Sequence, residues 1–65
     1  MDIIKIVCRK NITDLTVGKI YMATTIPQTN YYFLKDDSEK YEYYFKTFFI
    51  TLQEHRKEVL SKLLS

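Results

Sequence analysis

The stretch KYEYYFKTFF, Lys40 to Phe49, holds six aromatic residues in ten. It poses the fold problem of the whole chain: such a concentration is either a core or a contact surface. Read as a strand, the segment sends Tyr41, Tyr43 and Phe45 to one face and Glu42, Tyr44 and Lys46 to the other. Tyr31, Tyr32 and Phe33 lie just upstream and also occupy both faces. One face of this pair of strands belongs inside a small core. The other needs a helix, a second subunit or a partner to cover it.

Composition sets the scale. A chain of 65 residues forms one domain and buries only about 60% of its unfolded-state surface. Cys8 is the only cysteine and His55 the only histidine, which excludes an internal disulfide and a Cys/His zinc site within one chain. With 46% hydrophobic and 15% aromatic residues the chain is of globular type, and its stability rests on apolar burial. No apolar run approaches the roughly 20 residues of a membrane span. The start, MDIIKIVCRK, has an acid where a secretory signal has positive charge, so a cytoplasmic location with a reduced thiol is expected.

Charge is unevenly spread. The formal net charge is +2, but residues 36–45 carry Asp36, Asp37, Glu39 and Glu42 against Lys40. Basic segments flank this acidic turn on both sides. It reads either as a solvated loop or as a patch that meets a basic partner.

The remaining chain supplies short strands at regular spacing. Asp2–Cys8 is rich in Ile and Val, with Ile4, Ile6 and Cys8 on one face. RKNITD follows as a polar loop. Gly18, the only glycine, stands before a second strand, Lys19–Thr25, and suggests a positive φ. IPQTN has turn chemistry, with Pro27 fixing φ and Asn30 suited to unusual backbone. Tyr31–Lys35 and Lys40–Phe45 are a third and a fourth strand, joined as a hairpin by the polar DDSE loop. The expected fold is mainly β: a small antiparallel barrel of four to five strands over residues 1–50, with a C-terminal helix over residues 51–65.

That helix is announced by a change of period. Thr51 and Glu54 have capping-box spacing, and Leu52, Val59, Leu60, Leu63 and Leu64 line one stripe. A helix from Leu52 to Leu64 is roughly 20 Å long and marginal alone in water. Leu60, Leu63 and Leu64 are therefore expected to be buried, on the barrel or in a homodimer.

Three pieces together, KIVC, LTVGKIY and YFLKDD…YEYYFKTFF, resemble small SH3-like β-barrel proteins encoded by phages and prophages. Leu15, Thr16, Gly18, Lys19 and Tyr21 match the middle motif, and Tyr43, Tyr44, Lys46 and Phe49 match the last. Phe45 stands where proline is expected, and the C-terminal helix is an addition. The resemblance covers roughly residues 5–50. It implies an SH3-like barrel without enzyme activity that binds and inhibits or redirects a host protein in the host cytoplasm.

The residues themselves name no catalytic constellation and imply no cofactor or metal. Cys8, at the end of an apolar strand, reads as a buried small hydrophobe, and a nucleophilic Cys8–His55 pair lacks an orienting group. Asp36, Asp37 and Glu39 lack the ligand count and glycine of a calcium loop. Two surfaces remain. Tyr44, with Tyr31 and Tyr41, is expected to form an aromatic binding surface rimmed by Asp36, Asp37, Glu39 and Glu42. Its alternative is packing beneath the helix. Arg9, Lys10 and Lys19, near Tyr21 and Tyr31, are a candidate nucleic-acid contact of the kind small barrels use. A structural homo-oligomer is the third possibility.

Overall fold

The computed structural model describes residues 2–64. Its order is β1 (Ile3–Cys8), β2 (Ile20–Thr25), β3 (Tyr31–Lys35), β4 (Tyr41–Phe45), a 3-10 turn (Lys46–Phe48), β5 (Phe49–Thr51) and α1 (Leu52–Leu64). The strands form one antiparallel sheet in the order β4-β3-β2-β1-β5, curled into a half-barrel. The sheet keeps two edges, β4 and β5. The expected strands and helix are present, and β5, which the TFFI segment hides among its aromatics, completes five strands.

The inner face carries the core. Ile6, Cys8, Leu15, Tyr21, Ala23, Leu34 and Phe49 are buried together, with Ile4, Ile12, Tyr32, Tyr44 and Phe48 packed against them. The alternation of β1 and β2 explains their side: Ile4, Ile6 and Cys8 share a face, as do Tyr21 and Ala23. Phe49 is the centre of the aromatic part. The rings of Tyr21, Tyr32, Tyr44 and Phe48 stand 6.0–6.5 Å from it. Such pairs add about 0.5–1.5 kcal/mol each beyond area burial. Cys8 is a buried free thiol that donates to Lys10 O at 3.2 Å.

The turns are held by unusual backbone. Gly18 has φ +85°, as its position before β2 suggests, and its N–H donates to Cys8 O at 2.8 Å. In the IPQTN turn the left-handed residue is Gln28, at φ 63°, and not Asn30. Pro27 occupies the preceding position, so the turn needs its positive φ immediately after it. Asp14 and Glu39 are also left-handed, at φ 68° and 67°.

The helix begins as expected. Thr51 Oγ1 accepts from Glu54 N at 3.1 Å and donates to Glu54 Oε1 at 3.2 Å. Docking is confined to its start. Leu52 and His55 are half-buried, α1 packs against β1 and β5, and Arg9 pairs with Glu58 at 2.7 Å. Val7 lies on the face of β1 opposite Ile6 and Cys8 and is fully buried, which requires this cover. Burial of the leucine stripe on the barrel does not occur. Leu60, Leu63 and Leu64 are 58%, 76% and 86% exposed. The helix runs past the three-residue β5, so its second half has no sheet beneath it.

Candidate functional site

The β3–β4 pairing distributes the aromatic residues. Tyr31 lies opposite Phe45, Tyr32 opposite Tyr44, Phe33 opposite Tyr43, and Leu34 opposite Glu42. Leu34 is buried, so its face is the inner one, and Tyr32 and Tyr44 share it. The other parity, Tyr31, Phe33, Tyr41, Tyr43 and Phe45, is turned outward. The ten aromatics of the chain thus divide into five inside and five outside.

The outer five form a continuous ladder. Tyr31 stacks on Phe45 with centroids 4.9 Å apart, and Phe33 stacks on Tyr41 at 5.5 Å. Phe33 also meets Tyr43 at 4.9 Å, and Tyr43 meets Tyr31 edge-on at 6.5 Å. Tyr41 and Tyr43 remain 63% and 62% exposed. Cross-strand pairs of this kind contribute about 0.2–1 kcal/mol each to the hairpin. They leave the outward ring faces in water. The register carries the apolar surface on: Thr24 links Phe33 to Ile3, and Met22 faces Lys5 on β1. Ile3, Ile20 and Met22 are all exposed.

Tyr44 and Asp36 belong elsewhere than expected. Asp36 is buried at 6% exposure. Its Oδ1 accepts from Ser38 Oγ and N, the latter at 2.9 Å, and from Lys40 N at 3.3 Å; Oδ2 accepts from the Tyr44 hydroxyl at 2.8 Å. The Ser38 hydroxyl foremost, then Tyr44 and the two backbone donors, hold the Asp36 carboxyl below its ordinary range. Burial pushes the Tyr44 phenol up, and the bond to Asp36 adds to it. Tyr44 therefore ties the DDSE turn to the core. The alternative placement beneath the helix does not apply: its neighbours are Phe49 and Asp36.

Asp37 is likewise committed. It accepts from Lys19 Nζ at 2.6 Å, Thr16 Oγ1 at 2.7 Å and the Tyr21 hydroxyl at 3.0 Å. The Lys19 bond leads in lowering its pKa to about 2. This cluster joins the Leu15–Tyr21 motif to the Asp-Asp turn. Asp37 is exposed despite these bonds, and Glu39 and Glu42 are exposed as well, so Asp36 alone of the four acids is buried.

The three candidate nucleic-acid cations each have an internal partner. Arg9 pairs with Glu58, Lys19 with Asp37, and Lys10 Nζ lies 5.0 Å from the Phe48 ring centroid. Lys19 also stands 5.3 Å from the Tyr21 ring. None of the three lies over the outer ladder, which is bordered instead by Lys35 and Lys5.

Of the expected aromatic surface, Tyr31 and Tyr41 are in place. Phe33, Tyr43 and Phe45 are the members that the sequence reading missed. The signal was present in Leu34, the one aliphatic residue of the hairpin, whose face marks the interior. Among the described residues no helix is long and apolar enough to cross a membrane. No family model, no curated protein and no solved structure matches this chain.

Proposed function

We propose that this chain is a small non-enzymatic binding protein that docks on a protein partner through the outer face of β3 and β4. The observation that carries this reading is the five-ring ladder, with Ile3, Ile20 and Met22 exposed on the neighbouring strands β1 and β2. Apolar side chains contiguous over one sheet face mark an interaction site on a small protein. Tyr and Phe supply large area with few rotatable bonds to immobilise. The buried Cys8 thiol, bonded to Lys10 O, supports a structural role for the only cysteine.

The finer identity follows from the sequence resemblance: an SH3-like barrel, phage-encoded, acting in the host cytoplasm on a host protein that it inhibits or redirects. The single antiparallel sheet with a short turn between β4 and β5 supports that reading of the fold. A second reading, a homodimer through Leu60, Leu63 and Leu64, is favoured by their exposure on the second half of α1. The nucleic-acid alternative has less support, because Arg9, Lys10 and Lys19 are engaged within the chain.

The test compares the wild-type chain with a Tyr41→Ser/Tyr43→Ser variant as affinity baits in host extract, with nuclease added. A protein retained by the first and lost by the second, while the variant keeps the circular dichroism of the folded chain, supports the surface. Retention by both overturns it. A ligand lost on nuclease treatment, with binding that falls steeply as salt rises, replaces it with nucleic acid.

A further inference from the structure

The two edges of the sheet differ. β5 has three residues and passes directly into α1, which packs on β1 and β5. β4 has five residues and pairs only with β3. Of the devices that usually blunt such a strand, its opposite edge carries one, the charge of Glu42 on the inner face. It holds no proline, and its register with β3 runs through five pairs without a bulge.

Backbone bonds at both ends of the hairpin tell which groups of β4 are free. Asp36 N donates to Lys40 O at 3.0 Å, and Lys46 N donates to Asn30 O at 2.8 Å. Antiparallel pairs alternate between bonded and non-bonded. The bonded pairs are therefore Asp36–Lys40, Leu34–Glu42, Tyr32–Tyr44 and Asn30–Lys46. It follows that the N–H and C=O groups of Tyr41, Tyr43 and Phe45 point away from β3. The three residues that β4 contributes to the five-ring ladder are also those whose backbone faces the open edge.

We propose that a second copy of this chain occupies that edge, its β4 antiparallel to the first about a two-fold axis at Tyr43. Tyr43 then faces Tyr43 of the second copy, and Tyr41 faces Phe45 of the second copy on each side. All outward backbone groups are used, in six hydrogen bonds, and the two aromatic ladders become one surface. The neighbouring registers are worse. Centring on Glu42 sets two carboxylates face to face, which is destabilising. Centring on Tyr44 pushes Tyr41 against the 3-10 turn and leaves four bonds. About Tyr43, Glu42 faces the Tyr44 position and is diagonal on the same face to Lys46 of the second copy on one side and to Glu42 of the second copy on the other, so the two carboxylates are no longer directly opposed and each gains a cation within reach. Lys40 and Lys46 of opposite copies meet only beyond the strand ends, where Glu42 lies beside them. The interface is isologous and closes on itself. It goes beyond the partner-binding reading, because a paired sheet doubles the docking face whatever later binds there.

Sedimentation of the purified chain over a concentration series reads the dimer. Tyr43→Pro removes an N–H that β3 does not use, so the hairpin tolerates it while the edge bond is lost. The dimer should weaken about tenfold or more, at unchanged circular dichroism. Because that variant tests folding as well, a second set reports register. In a Cys8→Ala background, Tyr43→Cys should cross-link on mild oxidation, since facing Cα atoms about 5.5 Å apart suit a disulfide. Glu42→Cys and Tyr44→Cys should cross-link far less. A monomer at every concentration overturns the proposal. So does preferential cross-linking at residue 42 or 44. A dimer that survives Tyr43→Pro but is abolished by Leu60→Glu/Leu63→Glu overturns it too, and places the seam on α1.

Discussion

The Tyr44 hydroxyl donates a 2.8 Å hydrogen bond to Oδ2 of the buried Asp36, fastening the β3–β4 turn to the inner face of the sheet. Its neighbour Tyr43 points into solvent beside Phe33. One residue of displacement along β4 thus separates a structural tyrosine from a surface one. Tyr44→Ala should cost about 2–4 kcal/mol, because it removes a ring from the Phe49 cluster. Tyr44→Phe should lower the melting temperature less, through loss of the carboxylate's partner alone. Tyr43→Ala should cost less than Tyr44→Ala, about 0.5–1.5 kcal/mol, the share of its cross-strand contacts with Phe33 and Tyr31. Urea denaturation of the three variants checks the order, and equal costs at positions 43 and 44 would refute the assignment of faces.

Acid should loosen the junction between the Leu15–Tyr21 motif and the Asp-Asp turn. Asp37 is held at about 2, below the ordinary aspartate value of about 3.9. A depressed carboxyl stabilises the fold above its unfolded pKa, and the contribution is lost as pH falls through the folded pKa. The melting temperature should therefore decline from about pH 4 toward pH 2. Asp36, also lowered, adds to the same decline. Asp37→Asn should lower stability at pH 7 and flatten the acid limb, leaving the share of Asp36. A thermal melt series across this range checks both statements.

Gly18 is required by backbone and not by space. Its φ is +85°, and a Cβ added there meets no atom within 4 Å. Gly18→Ala should cost about 1–2 kcal/mol, the penalty of the left-handed region for an L-residue. Gly18→Val should cost more, and Gly18→Asn less. An unchanged denaturation midpoint for Gly18→Ala would remove the assigned conformation.

The reverse substitution should stabilise two other turns. Gln28 and Glu39 hold φ of 63° and 67° with full side chains. Replacing either by glycine relieves that strain and costs some unfolded-state entropy, for a net gain of about 0.5–1 kcal/mol. Glu39→Gly also removes an exposed acid from the hairpin without touching the aromatic ladder, so differential scanning calorimetry reads the backbone effect directly.

Helix truncation should separate the docked from the undocked half of α1. Leu60→Ala should cost less than about 0.5 kcal/mol in the monomer. Ile6→Ala, in the centre of the core, should cost about 2–5 kcal/mol. A large cost at Leu60 in dilute solution would mean that the stripe finds cover on its own sheet after all.

The local elements were legible in the sequence because they depend on neighbours in the chain. Period-two alternation marked β1 to β4. The Thr51–Glu54 spacing and a change of period marked α1 from Leu52 to Leu64. A single glycine before β2 marked a positive φ. The aromatic stretch also declared that it had two faces. Which face is inside depends on register with β3, where Leu34 lies opposite Glu42 and Tyr32 opposite Tyr44. Such pairing is a long-range property, and a shift of one residue exchanges every side chain between core and water. For the same reason Asp36 and Asp37 read as a solvated acidic patch, although folding brings Tyr44, Thr16, Tyr21 and Lys19 to them. The leucine stripe is the opposite case. Its period is sufficient to make a helix, but burial needs a surface of matching length, and β5 ends where α1 begins. Sequence by itself determined β1 to β4, α1 and the presence of two apolar faces. Only the tertiary structure decided which of them faces water, because that choice is made by strand register and by where the sheet stops.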